Sequence, residues 1–295
     1  MSIQVLNATL TPEQPFGVSL DNYFAQAYHS VMGKSADEFA FIQGETPLST
    51  NTEVFTACIL YLVIIFGGQY LMRNREPFQL RGLFQAHNFI LSVGSLGLLL
   101  LFFEQLFPIV YRQGFLYAVC NQSAFTQRLE LLYYINYLYK YYELIDTLFL
   151  VLKKKKLDFL HYYHHSMTAV LCYTQLVGRT SVSWVPITLN LLVHVLMYYY
   201  YMRASMGHRI WWKRYLTTMQ ITQFVIDLFV IYFCSYTYFA HAHFPFLPNM
   251  GFCSGTVGAA LFGCYLLTSY LVLFINFYIQ TYKKNAAKAK KLKDL

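Results

Sequence analysis

Long apolar stretches, separated by short polar connections, recur along almost the whole chain. About 20 apolar residues in a helix cross the roughly 30 Å hydrocarbon core of a bilayer. The pattern therefore predicts an all-α membrane protein with seven transmembrane helices, at residues 54–72, 84–107, 129–152, 158–178, 182–202, 215–240 and 251–282. The predicted domains are an N-terminal segment at 1–50, a seven-helix membrane domain at 51–282 and a lysine-rich tail at 283–295.

The composition agrees with a membrane domain and excludes a soluble one. Of the 295 residues, 57% are hydrophobic and only 12% are charged, which is too apolar for the surface of a soluble protein of this size. The first 50 residues lack the charged start, apolar core and cleavage site of a removable signal peptide. The first predicted helix is therefore expected to direct insertion into the membrane.

The basic residues divide unequally between alternate connections. Most of the 22 Lys and Arg residues lie in the connections 73–81, 153–156 and 203–214 and in the C-terminal tail. Because Lys and Arg prefer cytoplasmic loops, this predicts a cytoplasmic C-terminus and a lumenal N-terminus. The net charge of +8 is explained by this membrane topology, so we expect the lipid bilayer and no nucleic acid as a partner.

The predicted topology also assigns surroundings to cysteines and glycosylation patterns. Cys120 and Cys253 lie beside membrane ends in the oxidising lumen, which predicts a disulfide bond between them, with two unpaired thiols as the alternative. The other four cysteines lie inside predicted helices, where thiols act as small apolar residues. Asn7 and Asn121 each begin an Asn-x-Ser/Thr pattern on the lumenal side.

Polar side chains recur inside four predicted helices, where a charge costs roughly 2.5 to 3.5 kcal/mol on insertion. Spacings of three and four residues place the members of each group on one face of their own helix. The four groups are Lys140, Glu143 and Asp146; His161, His164 and His165; Asn190, His194 and Tyr198; and Thr217, Gln220 and Gln223. Counted from the nearest basic connection, they lie about 12 to 15 Å deep. This shared depth predicts one buried site that opens toward the cytosol. The alternatives are amides that join helices and an ion pair of Lys140 that only fixes packing.

The histidine cluster allows two kinds of chemistry. Membrane di-iron oxygenases use many histidines in several boxes, whereas this chain has nine in all and four within reach of the cluster. We interpret His29, His87 and His208 as lying outside it, and His241 and His243 as lying in the opposite loop. Four histidines are too few for two irons, so the sequence favours nucleophilic or acid–base catalysis without a metal.

Four ordered motifs resemble those of the very-long-chain fatty acid elongases, the ELO family, and the match looks most like fungal members. The KxxExxDT box is matched by KYYELIDT at 140–147, and the histidine box by HYYHH at 161–165. The NxxxHxxMYxYY box is matched by NLLVHVLMYYYY from Asn190, and TxxQxxQ by TTMQITQ from Thr217. The resemblance covers essentially the full membrane region.

The resemblance implies that the chain is a 3-oxoacyl-CoA synthase, an acyltransferase that condenses a long-chain acyl-CoA with malonyl-CoA without a cofactor. We expect six helices to form a ring around an acyl-chain tunnel, with the first helix peripheral. His164 is expected to attack the thioester and form an acyl-imidazole. His194 and His165 would orient groups or move protons, His161 is a further catalytic candidate, and Asn190, Gln220 or Tyr198 would donate to oxyanions. Lys140, Glu143, Asp146 and Gln223 would support them.

The tail and the function class complete the expectations. Lys291 and Lys293 resemble a dilysine retrieval signal, which implies residence in the endoplasmic reticulum membrane. Partners would be the reductases and the dehydratase of the elongation cycle, and a homo-oligomer is possible. The competing functions are an iron oxygenase of the desaturase or hydroxylase type and a seven-helix lipid receptor or carrier. The sequence does not determine the preferred acyl length.

Overall fold

The computed structural model describes residues 10–284, and within this range the secondary structure is helical apart from one isolated β-bridge between Thr11 and Gln14. The described α-helices, in chain order, are α1 Leu20–Met32, α2 Asn51–Leu71, α3 Arg81–Gln113, α4 Phe115–Cys120, α5 Gln127–Glu143, α6 Ile145–Leu152, α7 Phe159–Gly178, α8 Trp184–Ser205, α9 Lys213–His243 and α10 Val257–Tyr278. Short 3₁₀ turns precede or join several of them, and a π-helical turn at Ile279–Lys284 extends α10.

Five of the described helical segments are long and apolar enough to cross a membrane. They are Asn51–Leu71, Arg81–Gln113, Ser181–Ser205, Lys213–His243 and Val257–Tyr282. The helices α5 to α7, which carry the predicted charged and histidine clusters, are not among them. α5 and α6 have only 17 and 8 residues, and α7 has 20 residues but is less apolar because it contains the three histidines. An all-α fold with several apolar helices long enough to cross a membrane is therefore confirmed for the described residues.

The third predicted helix, at 129–152, is interrupted. α5 ends at Glu143 and α6 begins at Ile145, with Leu144 between them. The backbone N–H of Leu144 donates to the carbonyl of Tyr141, and that of Thr147 donates to Leu144. Such three-residue bonds are those of a tight 3₁₀ turn. The stripe predicted for Lys140, Glu143 and Asp146 is thus divided, so that Glu143 and Asp146 bond to different partners.

Side-chain caps fix where several helices begin. Thr50 and Glu53 form a capping box at the start of α2, and the hydroxyls of Thr126 and Thr256 accept from backbone N–H groups at the starts of α5 and α10. These bonds satisfy donors that a helix leaves free in its first turn. The N-terminal boundaries are therefore set locally by sequence.

The helices pack through neighbouring pairs. α3 contacts α5 and α8, α7 contacts α5 and α10, and α9 contacts α8 and α10, while α2 lies against α6 and α7. The approach of α7 to α10 requires glycine at Gly178, since a Cβ atom there would lie 2.6 Å from that of Ala259. The largest core cluster contains residues of α3, α5, α7 and α8, including Phe102, Tyr137 and Leu191.

The N-terminal segment is folded onto one end of these helices. The backbone N–H groups of Leu20 and Asp21 donate to the buried carboxylate of Glu104 in α3, with N–O distances of 3.0 and 2.8 Å. Arg128, at the start of α5, pairs with Asp21 and Asp37. The described part of the segment is therefore held by ion pairs and backbone hydrogen bonds at this end of the bundle.

A disulfide bond joins Cys120 at the end of α4 to Cys253 in the segment before α10. The N–H of Ser254 donates to the carbonyl of Cys120 at 2.8 Å beside it. The buried sulfur of Cys234 in α9 lies 3.9 Å from that of Cys120. A variant that lacks Cys253 alone would therefore leave the thiol of Cys120 close to the thiol of Cys234.

Replacing both Cys120 and Cys253 by serine is expected to lower the stability of the folded protein by about 2 to 5 kcal/mol, because the bond closes a loop across 133 residues. Thermal unfolding in detergent measures the loss. The control replaces the free cysteines Cys58 and Cys172. Equal melting temperatures of the two double variants would show that the bond contributes no stability.

Candidate active site

A closed network of four side chains, of which Lys140, Glu143 and His194 are buried and Asn190 is partly buried, lies between α5 and α8. The Nζ atom of Lys140 donates to Oε1 of Glu143 at 2.9 Å and to Oδ1 of Asn190 at 2.8 Å. The Nδ1 atom of His194 lies 3.1 Å from the same Glu143 oxygen, and its Nε2 atom lies 3.2 Å from Nδ2 of Asn190. Lys140 and Glu143 are each only 3% exposed. The opposite charges of Lys140 and Glu143 therefore compensate each other inside the protein.

The donors and acceptors of this network determine the tautomer of His194. An ammonium group only donates, so the oxygen of the Asn190 amide faces Lys140 and its nitrogen faces His194. The amide N–H then donates to Nε2, which must be unprotonated, and the Nδ1–H group donates to Glu143. His194 is thus held as a neutral ring whose two nitrogens both have protein partners.

A second network is built around Asp146. Its Oδ1 atom lies 2.9 Å from Nε2 of His87 in α3, and its Oδ2 atom accepts from the hydroxyl of Tyr198 at 2.8 Å. The sequence placed His87 outside the histidine cluster, and the structure pairs this buried residue with Asp146, a predicted site residue that is not a histidine. An isolated histidine in an apolar helix gives no spacing signal, so only a contact across 59 residues reveals it.

His87→Leu is expected to lower the free energy of unfolding by about 1.5 to 3 kcal/mol, since it removes a hydrogen bond from a mostly buried carboxylate. His87→Gln, which keeps a donor, should recover part of this loss. Chemical unfolding in detergent measures both changes, with the exposed His208→Leu as the matched control. A His87→Leu variant as stable as the His208 control would contradict a structural role of the pair.

The three histidines of the HYYHH segment have different surroundings on α7. The Nε2 atom of His161 lies 3.0 Å from the hydroxyl of Thr147, which in turn bonds Tyr61 of α2 at 2.7 Å. The rings of His161 and His165 lie 4.4 Å apart, and those of His164 and His165 lie 5.7 Å apart. Within the described residues, the ring nitrogens of His164 and His165 make no hydrogen bond.

His164 is the histidine of this segment that faces an internal cavity. Its ring centroid lies 4.8 Å from that of Tyr270 and 5.7 Å from that of Phe274. Its backbone carbonyl accepts from the hydroxyls of Thr168 and Tyr270 at 2.6 and 3.2 Å. The hydroxyls of Thr168 and Tyr270 thus hold the backbone of His164 in place. Its imidazole nitrogens make no hydrogen bond to the described residues, so they are available to attack a substrate, as a nucleophile requires.

The cavity is long, narrow and mostly apolar. It runs along α7 from His164 to Leu176, which at 1.5 Å per residue is about 18 Å. The centre of a water molecule can occupy about 100 Å³ of it. Near His164 the cavity is lined by Lys140, Asn190 and Gln223. Further along, it is lined by Cys253, which is one of the two cysteines of the disulfide bond. The shape fits a single extended chain.

The structure separates the remaining predicted residues from the cavity. Tyr198 directs its hydroxyl at Asp146. The Nε2 atom of Gln220 contacts the sulfur of Met197 at 3.4 Å. Among the predicted residues in the described range, His164, Lys140, Asn190 and Gln223 line the cavity, while His161, His165 and His194 lie behind it.

The basic connection between α6 and α7 adjoins the start of α3. The Nζ atom of Lys153 lies 3.5 Å from the ring centroid of Phe84. Its partial burial and the neighbouring Lys155 lower the pKa of Lys153 below its usual value. Lys154 donates to the carbonyls of Arg73 and Arg75. Two of the basic connections therefore meet at one end of the bundle.

The predicted histidines do not gather around a common point. Among the described residues, one group of three metal-ligand atoms lies within 4.8 Å of one another, formed by Cys120, Cys234 and Cys253. Two of these sulfurs are joined in the disulfide bond. This group lies at the disulfide bond and contains none of the predicted histidines.

The apolar helices and the buried polar site define the class of this chain as a multi-pass membrane protein with a site among its helices. The chain belongs to the ELO family, described as the GNS1/SUR4 family, whose model matches residues 46–290. The family predicted from the four sequence motifs is thereby confirmed.

The relatives found by comparison are named as elongases. The chain is 52% identical to "Putative fatty acid elongase 1" of Schizosaccharomyces pombe, over 94% of this chain and 83% of that protein. It is 50% identical to "Putative fatty acid elongase 2" of the same organism, over 90% and 72%. Identity to "Fatty acid elongase A" of Dictyostelium discoideum is 34%, over 86% and 92%.

Proposed function

We propose that this protein is a fatty acid elongase that condenses a long-chain acyl-CoA with malonyl-CoA to give 3-oxoacyl-CoA, CoA and carbon dioxide. The family and the elongase relatives support the substrate class. The observation that carries the proposal is the position of His164. Its ring, without a hydrogen bond to the described residues, stands at one end of a narrow apolar cavity beside a buried polar network.

The proposed reaction has two steps. A ring nitrogen of His164 attacks the acyl thioester carbonyl, the carbon–sulfur bond breaks, and CoA leaves as a thiolate that takes up one proton. Malonyl-CoA then loses carbon dioxide, and the electron pair of the broken carbon–carbon bond forms an enolate. The enolate carbon attacks the acyl-imidazole and His164 is released. One proton is consumed for each turnover, and no oxidant or metal is needed.

The buried network would stabilise the oxyanions of both steps. Lys140 has three N–H donors, of which Glu143 and Asn190 accept two, and the Asn190 amide has a second N–H besides the one given to His194. Both residues line the cavity near His164. Donors held in place before the reaction stabilise developing charge most effectively. Lys140 and Asn190 are therefore better placed for this role than Tyr198 or Gln220.

His194 and Glu143 would act as positioning residues. Both nitrogens of His194 have protein partners, so the ring would orient Asn190 and Glu143 and would not itself attack substrate. His165, which packs between His161 and His164, would be the nearest ring to move a proton to or from His164. Asp146 would keep Tyr198 and His87 in place behind these groups.

The architecture we propose is a ring of α3, α5 with α6, α7, α10, α9 and α8, with α2 outside it. The pairwise contacts between these helices support this closed order. Counting α5 and α6 as one span, the ring and α2 would make seven spans within the domain 51–282. The acyl chain would occupy the cavity, and the anionic CoA groups would meet the basic connections near Lys153 and Arg203.

We place the protein in the endoplasmic reticulum membrane, with a lumenal N-terminal segment at 1–50 and a cytoplasmic tail at 283–295. The disulfide bond at the end of the bundle opposite His164 agrees with an oxidising lumen. Asn7 and the dilysine pattern at Lys291 and Lys293 lie outside the described residues, and Asn121 is exposed. Reductases and the dehydratase of the cycle, and a second copy of the chain, remain proposed partners.

Purified protein in detergent should release carbon dioxide from labelled malonyl-CoA only when a long-chain acyl-CoA is present. The product should be the acyl chain lengthened by two carbons and carrying a 3-oxo group. Offering acyl-CoAs of several lengths would identify the preferred substrate. Ligand binding without carbon dioxide release would favour a receptor or carrier, and stoichiometric iron with an oxidised product would favour an oxygenase.

A further inference from the structure

The imidazole ring of His164 packs against three aromatic side chains that lie outside the four sequence motifs. Its ring centroid lies 4.8 Å from that of Tyr270 and 5.7 Å from that of Phe274, both in α10, and 6.5 Å from that of Phe224 in α9. The centroid of Phe224 lies 5.8 Å from that of Tyr270 and 5.0 Å from that of Phe274. All three residues are buried. They form one aromatic wall on the α9 and α10 side of His164.

Packing against this aromatic wall orients the His164 ring. The ring nitrogens make no hydrogen bond to the described residues, so no polar side chain among them sets the ring angle. Protein interiors are close-packed, and aromatic rings in contact prefer defined relative geometries. The wall therefore holds the imidazole in place while both of its nitrogens stay free to react.

Phe274 differs from the other two rings in its position. Phe224 and Tyr270 line the cavity, whereas Phe274 lies outside the cavity lining. Phe274 is four residues after Tyr270, or about 6 Å nearer the C-terminal end of α10. Four residues further along, the hydroxyl of Tyr278 accepts a hydrogen bond from the exposed Arg214. Phe274 therefore stands between the ring of His164 and the polar surface where α10 ends.

The intermediate of the proposed reaction is one that water can destroy. Water attacks the carbonyl carbon of an acyl-imidazole, and the carbon–nitrogen bond breaks. Its electron pair returns to the ring nitrogen, which takes up one proton of the water, and a free fatty acid leaves. The acyl-imidazole has to persist while CoA departs and malonyl-CoA binds. Active sites that expel water prevent such hydrolysis of reactive intermediates, and spaces lined only by apolar groups stay dry.

We propose that Phe274, packed with Phe224 and Tyr270, positions the His164 ring and shields its acyl-imidazole from water that enters at the end of α10. This inference rests on the proposed function for the identity of the intermediate. Phe274 is a positioning residue, because it contacts the ring of His164 and does not line the cavity that would hold the acyl chain. Loss of its ring should convert part of the condensation activity into hydrolysis of acyl-CoA.

The test compares Phe274→Ala with the wild-type full-length protein, both purified in detergent. The substrate is a labelled long-chain acyl-CoA that the wild-type protein elongates. Without malonyl-CoA, the variant should release free fatty acid at least about 10-fold faster than the wild-type protein, because water reaches the acyl-imidazole. With malonyl-CoA, the ratio of free fatty acid to 3-oxoacyl product should rise by a similar factor. A misfolded protein loses both products, so misfolding does not produce this gain of hydrolysis.

Three further variants control the measurement. Phe274→Leu keeps an apolar side chain without the ring, and its rate of hydrolysis should fall between those of Phe274→Ala and the wild-type protein. Phe277→Ala removes a partly exposed ring of the same helix that lies outside the aromatic wall, and it should behave like the wild-type protein. His164→Ala combined with Phe274→Ala should release no fatty acid above the uncatalysed rate, which assigns the hydrolysis to His164.

A second readout does not depend on elongase activity. Diethyl pyrocarbonate transfers a carbethoxy group to a neutral imidazole nitrogen, and water removes this group in the way that it would remove an acyl group. Mass spectrometry with fragmentation of the labelled peptide locates the group on His164 and measures its decay after excess reagent is removed. The decay should be about 10-fold faster in Phe274→Ala than in the wild-type and Phe277→Ala proteins.

The two readouts separate this inference from the proposed function. Equal rates of hydrolysis and of decay in the wild-type and Phe274→Ala proteins would overturn the shield, even if both proteins condense acyl-CoA with malonyl-CoA. Equal acceleration in Phe277→Ala and Phe274→Ala would overturn the assignment to Phe274. Faster decay in Phe274→Ala, in a protein that neither condenses nor hydrolyses acyl-CoA, would support the shield around His164 and reject the elongase function.

Discussion

His164→Ala is expected to abolish the transfer of a labelled acyl group to the protein and to lower turnover at least about 1,000-fold. The variant loses the ring that stands at the end of the cavity with no hydrogen bond to the described residues. Incubation with labelled acyl-CoA in the absence of malonyl-CoA, followed by denaturation and mass spectrometry, measures the covalent intermediate. In the wild-type protein, the label should be found on the peptide that contains His164.

The matched control for this prediction is His241→Ala, since His241 is exposed at the end of α9. It should acquire the label and turn over like the wild-type protein. Label that remains on a folded His164→Ala protein would remove His164 from the role of nucleophile, and His165, whose ring nitrogens also make no hydrogen bond to the described residues, would be the next candidate. Release of the label on addition of malonyl-CoA would show that the acyl-imidazole lies on the reaction path.

Glu143→Gln is expected to destabilise the protein by about 3 to 5 kcal/mol and to abolish turnover. Lys140 and Glu143 are each 3% exposed, and removing one partner of a buried ion pair leaves the other charge without compensation. The variant also changes the group to which His194 donates. Chemical unfolding in detergent measures the stability, and carbon dioxide release measures turnover.

The double variant Lys140→Met/Glu143→Met distinguishes packing from chemistry. Replacing a buried pair by apolar residues of similar size is often neutral or stabilising, so the double variant should recover most of the stability lost in Glu143→Gln. It should stay inactive, because the Lys140 donors that face the cavity are gone. Full activity of the stable double variant would mean that the pair serves helix packing alone.

The pattern of apolar and polar residues along the chain was sufficient to predict the class of fold. Apolar stretches of bilayer length are a property of consecutive residues, so the helical membrane character was predictable from hydropathy alone. The same holds for the residues of the candidate site, because spacings of three and four place His161, His164 and His165, or Asn190 and His194, on one helix face without any knowledge of their neighbours.

The arrangement of the site required contacts between distant segments. His87 bonds Asp146 across 59 residues and stands alone in an apolar helix, so no spacing marks it. The spacing of the three histidines in α7 predicted only that they share one helix face. The contacts between helices were needed to show that His164 faces the cavity and that His161 bonds Thr147. The break at Leu144 likewise replaced a predicted continuous helix by two, and thereby divided one stripe into two networks.

What the sequence by itself determined was therefore the class of protein, its family and the side chains available for chemistry, since hydropathy and helical periodicity are read from neighbours along the chain. Tertiary structure alone decided which histidine meets the cavity, which nitrogen of His194 carries the proton, and which aromatic rings, such as those of Tyr270 and Phe274, pack against His164. These properties depend on packing between helices that are far apart in sequence, and local periodicity carries no information about them.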